Sequence, residues 1–252
     1  MLYLIGTGLD INDLNIKAIK ALKKCQEIYL DIYTTKIPFS LKKYEKFLSF
    51  LLKKKIKIKK AEREFLEEKS KEFLEKAKIN NIALLIYGDP LIATTHISLI
   101  KEAKELGIKT KIIHNISVIN AITNTGLSIY KFGKIATMPS WQENYKPKSF
   151  YDIIKYNLSI NAHTILLIDT DLDFSKAINQ LISVDKEKKI IKEIYICSCL
   201  GTKEEKIIKE NIYKIKENIK KLKIKKPFCF IIPAELNFYE NDKEILELAL
   251  EK

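Results

Sequence analysis

The sequence contains no stretch of about 18 uncharged apolar residues, which is roughly the length that a membrane-spanning helix needs. Its first residues, MLYLIG, lack the basic segment and the cleavage site of a signal peptide. Four cysteines in 252 residues are too few and too scattered for a disulfide framework. We therefore expect a folded, unprocessed cytoplasmic protein without a membrane anchor, and 46% apolar residues suffice for real hydrophobic cores.

Arginine is nearly absent, because Arg63 is the only one among 45 basic residues. The formal net charge is nevertheless +13, which raises the question of a nucleic-acid ligand. Bidentate recognition of bases and phosphates favours arginine, and the lysines here alternate with glutamates as on solvated helix faces. We expect no direct nucleic-acid target. The lysine excess is either a solvated surface or a basic surface that steers the protein toward an acidic partner.

Several catalytic and metal-binding motifs are missing. There is no GxxxxGK[ST] loop and no GxSxG nucleophile motif, and the three histidines lack the spacing of metal ligands. Cys197 and Cys199 lie on one face of a predicted strand and Cys229 begins another, a set that fits small buried side chains better than zinc ligands. We predict no metal site, and the sequence identifies no catalytic residue.

Only seven glycines are present, and four of them follow predicted strands: Gly6, Gly8, Gly88 and Gly201. Gly6-Thr7-Gly8 is similar to the start of a dinucleotide-binding fingerprint, and Asp31 lies at the distance of a ribose-binding acid. Ile11, however, occupies the position of the third glycine, which disfavours a nicotinamide or flavin site. The glycines instead mark one edge of the predicted sheets as the ligand-binding edge.

The most informative segment is residues 84–100, LLIYGDPLIATTHISLI, which predicts a buried strand, a sharp turn and a helix. Such turns lie at the carboxyl end of a strand, where ligands bind in α/β sheets. No acid, base or nucleophile accompanies this turn in any recognisable pattern. The chain therefore suits chemistry in which a cofactor brings the reactive group, and methyl transfer from a sulfonium is such a reaction.

The alternation of strands and helices predicts two α/β domains, residues 1–114 and residues 115–252. The first should hold a mostly parallel sheet with helices on both faces, including helices over 13–25, 40–54 and 62–78. The second should contain strands over 164–168, 193–197 and 228–232 and a long helix over 203–222.

Six segments, in order along the chain, resemble the diphthine synthase family, which belongs to the tetrapyrrole-methylase-like class of methyltransferases. These are MLYLIGTGL at residue 1, YTT at 33, GDPLIATTH at 88, HNISV at 114, YKFG at 130 and HTILLID at 163. The likeness extends from the first residue to about residue 232. Cys229 and Asn237 stand where the similar sequences carry histidine.

The resemblance implies two α/β domains with S-adenosylmethionine in the cleft between them, in a homodimer. It also implies a protein substrate, elongation factor 2, in which the amino group of an aminocarboxypropyl-modified histidine is methylated repeatedly. Matched position by position, eight residues would contact the cofactor: Leu9, Asp89, Ile92, Ser117, Val118, Ile168, Leu200 and Cys229. The alternative role of Asp89 is that its carboxylate caps the following turn.

Two other functions remain open. A methylase that acts on a tetrapyrrole would share the first glycine turn, but it should lack the TTH and YKFG segments. A non-enzymatic basic RNA-binding protein would use the lysine surface and would need the glycines only as ordinary turns.

Overall fold

The computed structural model describes residues 1–237 and residue 240. The chain divides into two compact units, Met1–Ala121 and Ile122–Lys252. This division falls after the predicted join at residue 114, because residues 115–117 pack against the glycine turns of the first unit. Within the predicted second domain, residues 238–239 and 241–252 lie outside the described residues. No helix in the described part is long and apolar enough to cross a membrane.

The first unit is built on a parallel sheet of five strands, in the order β3-β2-β4-β1-β5. The strands are β1 (Leu2–Gly6), β2 (Glu27–Asp31), β3 (Ile58–Ala61), β4 (Ile82–Ile86) and β5 (Thr110–Ile113). The helices are α1 (Ile16–Leu22), α2 (Leu41–Leu52), α3 (Ser70–Ile79), α4 (Ile97–Glu105) and α5 (Val118–Ala121), with a π-helical turn at Glu64–Glu68. The predicted parallel sheet is confirmed.

Helices cover both faces of this sheet, as predicted, because successive strand residues point to opposite sides. Ile5 and Leu85 face a core that α1 and α2 complete, whereas Leu4 and Leu84 face a second core completed by α3 and α4. Since both faces are covered by packed helices, the loops after the strands are left at the carboxyl edge of the sheet. This is the edge at which parallel sheets bind ligands.

The second unit contains a mixed sheet of five strands, in the order β6-β7-β10-β8-β9. Its strands are β6 (Ala136–Met138), β7 (Thr164–Ile168), β8 (Glu193–Ser198), β9 (Lys206–Asn211) and β10 (Phe228–Ile232). Its helices are α6 (Ser149–Ser159), α7 (Phe174–Asp185) and α8 (Ile212–Asn218), with 3-10 turns at Ile122–Thr125 and Ile129–Lys131. Because β10 is antiparallel to both β7 and β8, its amino end shares an edge with their carboxyl ends.

The predicted helix over residues 203–222 is wrong in its first half. Lys206–Asn211 forms β9, which pairs antiparallel with β8 from Ser198 to Glu193. The lysines and glutamates around Ile207 and Ile208 indicate a helix locally, but pairing with a buried strand overrides that weak preference. The helix α8 begins only at Ile212, where the side chain of Asn211 accepts hydrogen bonds from two backbone N–H groups of the first turn.

Two helices of the first unit also begin later than predicted. The expected acidic cap at Asp13 is occupied elsewhere, so α1 starts at Ile16 with Asn15 as its cap. The helix predicted over 62–78 is interrupted, because Lys69 N–H donates to Glu64 O at 2.8 Å and closes a π-helical turn before α3.

Candidate functional site

The loops after β1 and β4 meet through two glycines. Gly8 and Gly88 exchange backbone hydrogen bonds of 3.1 and 2.9 Å. Gly8 has φ +74°, in the left-handed region, and a Cβ on Gly6 would lie 2.5 Å from Gly88 O. Side chains at these positions would strain the backbone or force the two loops apart. The glycines predicted from the sequence to mark a binding edge therefore join two strand ends directly.

Two polar side chains fix the loop after β1. The Asp13 carboxylate accepts hydrogen bonds from Leu9 N–H and Asp10 N–H, both at 2.8 Å. The Asn115 amide, just beyond β5, donates to Gly6 O at 3.1 Å and to Asp13 O at 2.9 Å. These bonds satisfy backbone groups that would otherwise lack partners at the strand ends. The ends of β1, β4 and β5 thus form one hydrogen-bonded arrangement.

Asp89 is buried within this arrangement, with 4% of its surface exposed. One carboxylate oxygen accepts from Leu91 N–H at 3.0 Å, and the other lies 3.1 Å from Asn115 N and 2.8 Å from His114 Nδ1. The side chain therefore holds the GDP turn against the end of β5, as its alternative role as a turn cap requires. Because both carboxylate oxygens already accept hydrogen bonds, Asp89 would act on a ligand through the electrostatic effect of its charge or through its backbone groups.

The other predicted contacts of the first unit lie on the same three loops. Leu9 is buried and its carbonyl accepts from the Tyr87 hydroxyl at 3.0 Å. Ser117 is also buried, and its Oγ accepts from Ile119 N–H at 3.2 Å, which turns the chain into α5 at Val118. Ile92 is different, because 37% of its surface is exposed. Its side chain is therefore available to an apolar ligand.

The three predicted contacts of the second unit lie together at one edge of its sheet. Cys229 pairs with Leu167 on one side and with Cys197 on the other. Ile168 is the last residue of β7, and Leu200 follows β8 in a tight turn. The edge is lined by buried or half-buried apolar side chains.

The turn at Leu200 has an unusual backbone conformation, with φ +50° at Cys199 and φ +74° at Gly201. Gly201 N–H donates to Glu205 Oε2 at 2.7 Å, and Cys199 N–H donates to Pro227 O at 2.8 Å. These bonds keep a cysteine in a region that L side chains rarely adopt. The left-handed cysteine was not predicted, because no local signal in the sequence requires it.

All four cysteines are free and buried. A hydrogen bond with Cys229 and complete burial raise the pKa of the Cys197 thiol, so this side chain stays protonated. Among residues 1–237 and 240, no three His, Cys, Asp or Glu side chains lie close enough to hold a metal ion. The geometry matches the expectation that these cysteines act as small apolar side chains.

A buried pair between Asp31 and His96 was not predicted. Their side chains meet at 3.0 Å, and Asp31 also accepts from Tyr33 N–H and Thr34 N–H and from the Thr34 hydroxyl. Asp31 is therefore fully engaged and cannot serve as a ribose-binding acid. In the sequence, the pair is indicated only by the two segments beside it. His96 ends the TTH segment, and Asp31 lies two residues before the YTT segment.

A second buried pair links His163 to Glu240, at 2.9 Å between Nε2 and Oε1. Ala234 N–H donates to His163 Nδ1 at 2.8 Å, so the ring is neutral and carries its proton on Nε2. Burial lowers the pKa of His163, which agrees with this assignment. Glu240 also accepts from Ser128 N–H at 2.8 Å. Glu240 is thereby joined to His163 before β7 and to Ser128 before the YKFG segment.

Comparison with known proteins places this architecture in a family. A family model described as tetrapyrrole (corrin/porphyrin) methylases matches residues 1–216. The chain is 42% identical over 170 residues to the diphthine methyl ester synthase of Schizosaccharomyces pombe, covering 67% of the chain and 58% of that relative. It is 35% identical over 247 residues to the diphthine synthase of Archaeoglobus fulgidus, covering 95% and 92%.

A solved crystal structure of a diphthine synthase is also similar, with a TM-score of 0.84 at 32% identity. The structural match covers 99% of this chain and 96% of the diphthine synthase chain. In contrast, the chain spans less than two thirds of the length of the S. pombe relative. The match to the family model and the similarity of the fold agree. This chain belongs to the tetrapyrrole (corrin/porphyrin) methylase family.

Proposed function

We propose that the chain is an S-adenosylmethionine-dependent N-methyltransferase with diphthine synthase activity. It would methylate repeatedly the amino group of the aminocarboxypropyl-modified histidine of elongation factor 2 and release S-adenosylhomocysteine. The observation that carries the proposal is the Gly8 to Gly88 bridge with the buried Asp89 beside it, in a chain that is 35% identical to a protein named diphthine synthase.

The residues at the carboxyl edge of the first sheet support S-adenosylmethionine as the proposed cofactor. Ile92 and Val118 offer apolar contact to an adenosine group, and the glycines allow a ligand to approach the backbone closely. The buried Asp89 and the nearby Asp13 provide negative charge for a sulfonium cation. We propose that the cofactor contacts are Leu9, Asp89, Ile92, Ser117, Val118, Ile168, Leu200 and Cys229.

The cofactor supplies the methyl group when it is bound, so the protein mainly has to orient the acceptor and exclude water. Orientation alone corresponds to effective molarities of about 10⁵ to 10⁸ M. The acceptor amine must be unprotonated to react, but a dedicated general base is not required. Rigid loops suit this task, and the bonds that fix Asp13, Asp89 and Asn115 supply that rigidity.

The family description favours a second candidate, a methylase that acts on a tetrapyrrole. The names of the relatives and the contact of the YTT and TTH segments through Tyr33 and Thr95 favour the elongation-factor substrate instead. A basic RNA-binding protein, the third alternative, would gain no thermal stability from S-adenosylhomocysteine, and its RNA affinity would fall steeply with salt.

The proposal is tested by incubating the chain and labelled S-adenosylmethionine with elongation factor 2 that carries or lacks the modified histidine. Label should appear only on the modified factor, and mass spectrometry of the histidine peptide counts the methyl groups added. Transfer that is independent of the modified histidine, or transfer to a tetrapyrrole only, would contradict the assignment.

We also propose that the protein acts in the cytoplasm as a homodimer, as the resemblance implies. Light scattering of the purified chain measures the mass of the particle, and a monomer at micromolar concentration would contradict the homodimer.

A further inference from the structure

Beside the glycine turns, the carboxyl edge of the first sheet carries an exposed group of polar side chains that the cofactor contacts do not include. Tyr33 follows β2, Arg63 and Glu67 follow β3, and Thr95 belongs to the long loop after β4. These four residues are called the Arg63 cluster below. They lie beyond the ends of three neighbouring strands, β3, β2 and β4, within one compact unit.

The side chains of Tyr33, Arg63 and Thr95 converge on the carboxylate of Glu67. The hydroxyls of Tyr33 and Thr95 lie 2.8 Å apart, and they lie 3.3 and 3.1 Å from Glu67 Oε1. Arg63 Nε donates to the other oxygen, Oε2, at 2.6 Å. The cluster therefore presents hydroxyl groups, a carboxylate and a guanidinium on one small surface.

Buried residues set the position of this cluster. The Asp31–His96 pair lies next to Tyr33 and Thr95 in the chain and is almost completely buried. It ties the residues after β2 to the end of the GDPLIATTH loop. That loop starts at Gly88 in the glycine turns and ends at the cluster, so one segment joins the proposed cofactor site to the polar surface. Glu67 is presented by the π-helical turn, a rare conformation that occurs often at functional sites.

Arg63 is the only arginine in a chain whose other basic residues are all lysine. An i, i+4 ion pair with Glu67 does not need arginine, since lysine forms such pairs as well. What lysine cannot supply is the planar pair of terminal nitrogens that binds a carboxylate through two hydrogen bonds. In the described part of the chain, only Nε of Arg63 donates a hydrogen bond, and 73% of the side chain is exposed. Its terminal nitrogens are available to a ligand.

Residues 62–68, the stretch that carries Arg63 and Glu67, are acidic although the chain as a whole is basic. They contain four glutamates and one arginine. Hydrogen bonding to Arg63 lowers the pKa of Glu67, so its carboxylate is charged at neutral pH. Burial raises the pKa of Tyr33 to about 12, so its hydroxyl stays protonated and can donate. A ligand that suits this surface carries both an amine and a carboxylate.

We propose that the Arg63 cluster binds the α-amino acid end of the methyl acceptor. The terminal nitrogens of Arg63 hold its carboxylate, and Glu67, with the Tyr33 and Thr95 hydroxyls, faces its amino nitrogen. This inference rests on the proposed function, because an aminocarboxypropyl group carries these two groups on one carbon. It adds the residues that select this acceptor, which the cofactor contacts do not explain.

The charge of Glu67 also suits the chemical step. The nitrogen lone pair forms the new N–C bond, the S–C bond breaks with its electron pair passing to sulfur, and the positive charge moves from sulfur to nitrogen. A carboxylate beside that nitrogen stabilises the charge as it develops. The proton of the resulting ammonium passes to solvent before the next methyl transfer. Glu67 acts here as a counter-charge, because its lowered pKa makes it a weak base.

Steady-state kinetics of two conservative variants test the proposal. Arg63→Lys keeps the charge and the pair with Glu67 but removes the planar fork, and Glu67→Gln keeps the shape but removes the charge. Each should lower kcat/KM for the modified factor by about tenfold to a hundredfold, the value of one charge-assisted hydrogen bond. Arg63→Lys should act mainly through KM and Glu67→Gln mainly through kcat. Affinity for S-adenosylhomocysteine and the melting temperature should not change.

The matched control is Lys69→Ala, which removes another exposed ion pair, with Glu64 at 2.6 Å, from the same stretch of chain. This variant should keep the wild-type kinetics. If both cluster variants also keep wild-type kcat/KM while the wild type methylates the factor, the proposal is wrong and the proposed function stands. A wild type that transfers no methyl group to the modified factor would instead contradict the proposed function itself. If Glu67→Gln lowered stability, Thr95→Val would serve in its place, with unchanged kcat/KM again counting against the proposal.

Discussion

The two units present their strand ends in different ways. At the carboxyl edge of the first sheet, the backbone is held by glycines and by buried polar side chains, as when Gly8 bonds Gly88 and Asp89 accepts three hydrogen bonds. At the corresponding edge of the second sheet, the predicted contacts have apolar or thiol side chains, and Cys229 lies between Leu167 and Cys197 of the neighbouring strands with a thiol hydrogen bond to Cys197. Buried polar side chains fix the loops of the first edge, whereas the predicted contacts of the second edge are apolar side chains on a backbone that hydrogen bonds to Glu205 and Pro227 hold in place.

This difference indicates how each edge would contribute to ligand binding. Hydrogen bonds fix the position of the loops around Asp13, Asp89 and Asn115, so the first edge can hold charged and polar groups in a defined place. The apolar second edge offers contact area, which tolerates small changes of shape better. We expect substitutions to alanine to have large effects at the first edge and small effects at the second.

The largest effect should come from Asp89→Ala. The change leaves Leu91 N–H and Asn115 N–H without their acceptor in a buried place, which should lower the free energy of unfolding by about 2 to 4 kcal/mol. Affinity for S-adenosylhomocysteine should fall as well, because the GDP turn is no longer held against the end of β5. Urea denaturation and calorimetry measure the two quantities. A fully stable variant with wild-type affinity would contradict the role of Asp89 at this edge.

A smaller effect should follow from Cys229→Ala, the same kind of truncation at the second edge. The side chain is buried but makes only packing contacts and a weak thiol hydrogen bond, so the loss in unfolding free energy should be about 1 kcal/mol. Urea denaturation run in parallel with Asp89→Ala provides the comparison. A loss as large as that of Asp89→Ala would mean that the two edges do not differ as described.

The smallest effect should be a pH dependence from the His163–Glu240 pair in the second unit. Burial lowers the pKa of His163 below its ordinary value of 6.5, and hydrogen bonds lower the pKa of Glu240 below its ordinary value of 4.5 despite burial. In both cases the unfolded chain binds protons more readily than the folded one, so stability falls as pH drops below these values.

Urea denaturation at several pH values between 7 and 5 measures the histidine part of this dependence. The wild type should lose stability over this range, and His163→Gln should lose less, since glutamine does not titrate. Equal slopes for the two proteins would show that His163 is not a buried neutral histidine.

The same contrast explains what could be predicted from the sequence. Strand ends marked by glycine, such as Gly6, Gly8 and Gly88, were located correctly because a positive φ or a close approach of two backbones restricts the residue type. The strands β7, β8 and β10 were also predicted, since their apolar runs are short and buried.

Features that depend on distant partners could not be predicted. The residues of β9 locally favour a helix, and they form a strand because they pair with β8. The Asp31–His96 and His163–Glu240 pairs join residues that lie 65 and 77 positions apart, and no local pattern reveals them. The polar cluster likewise depends on the π-helical turn, which places Glu67 beside Tyr33 and Thr95, and on the contact of Arg63 with Glu67.

A cofactor site at the glycine turns is tested by calorimetric titration of S-adenosylhomocysteine into the wild type, Ile92→Glu and Ile135→Glu. Ile92 and Ile135 are 37% and 45% exposed, so neither change should unfold the protein, and Ile135 lies before β6, away from its carboxyl end. The account predicts binding to the wild type, at least about tenfold weaker binding to Ile92→Glu, and unchanged binding to Ile135→Glu. No binding to the wild type, or equal affinity for all three proteins, would contradict a cofactor site at the glycine turns.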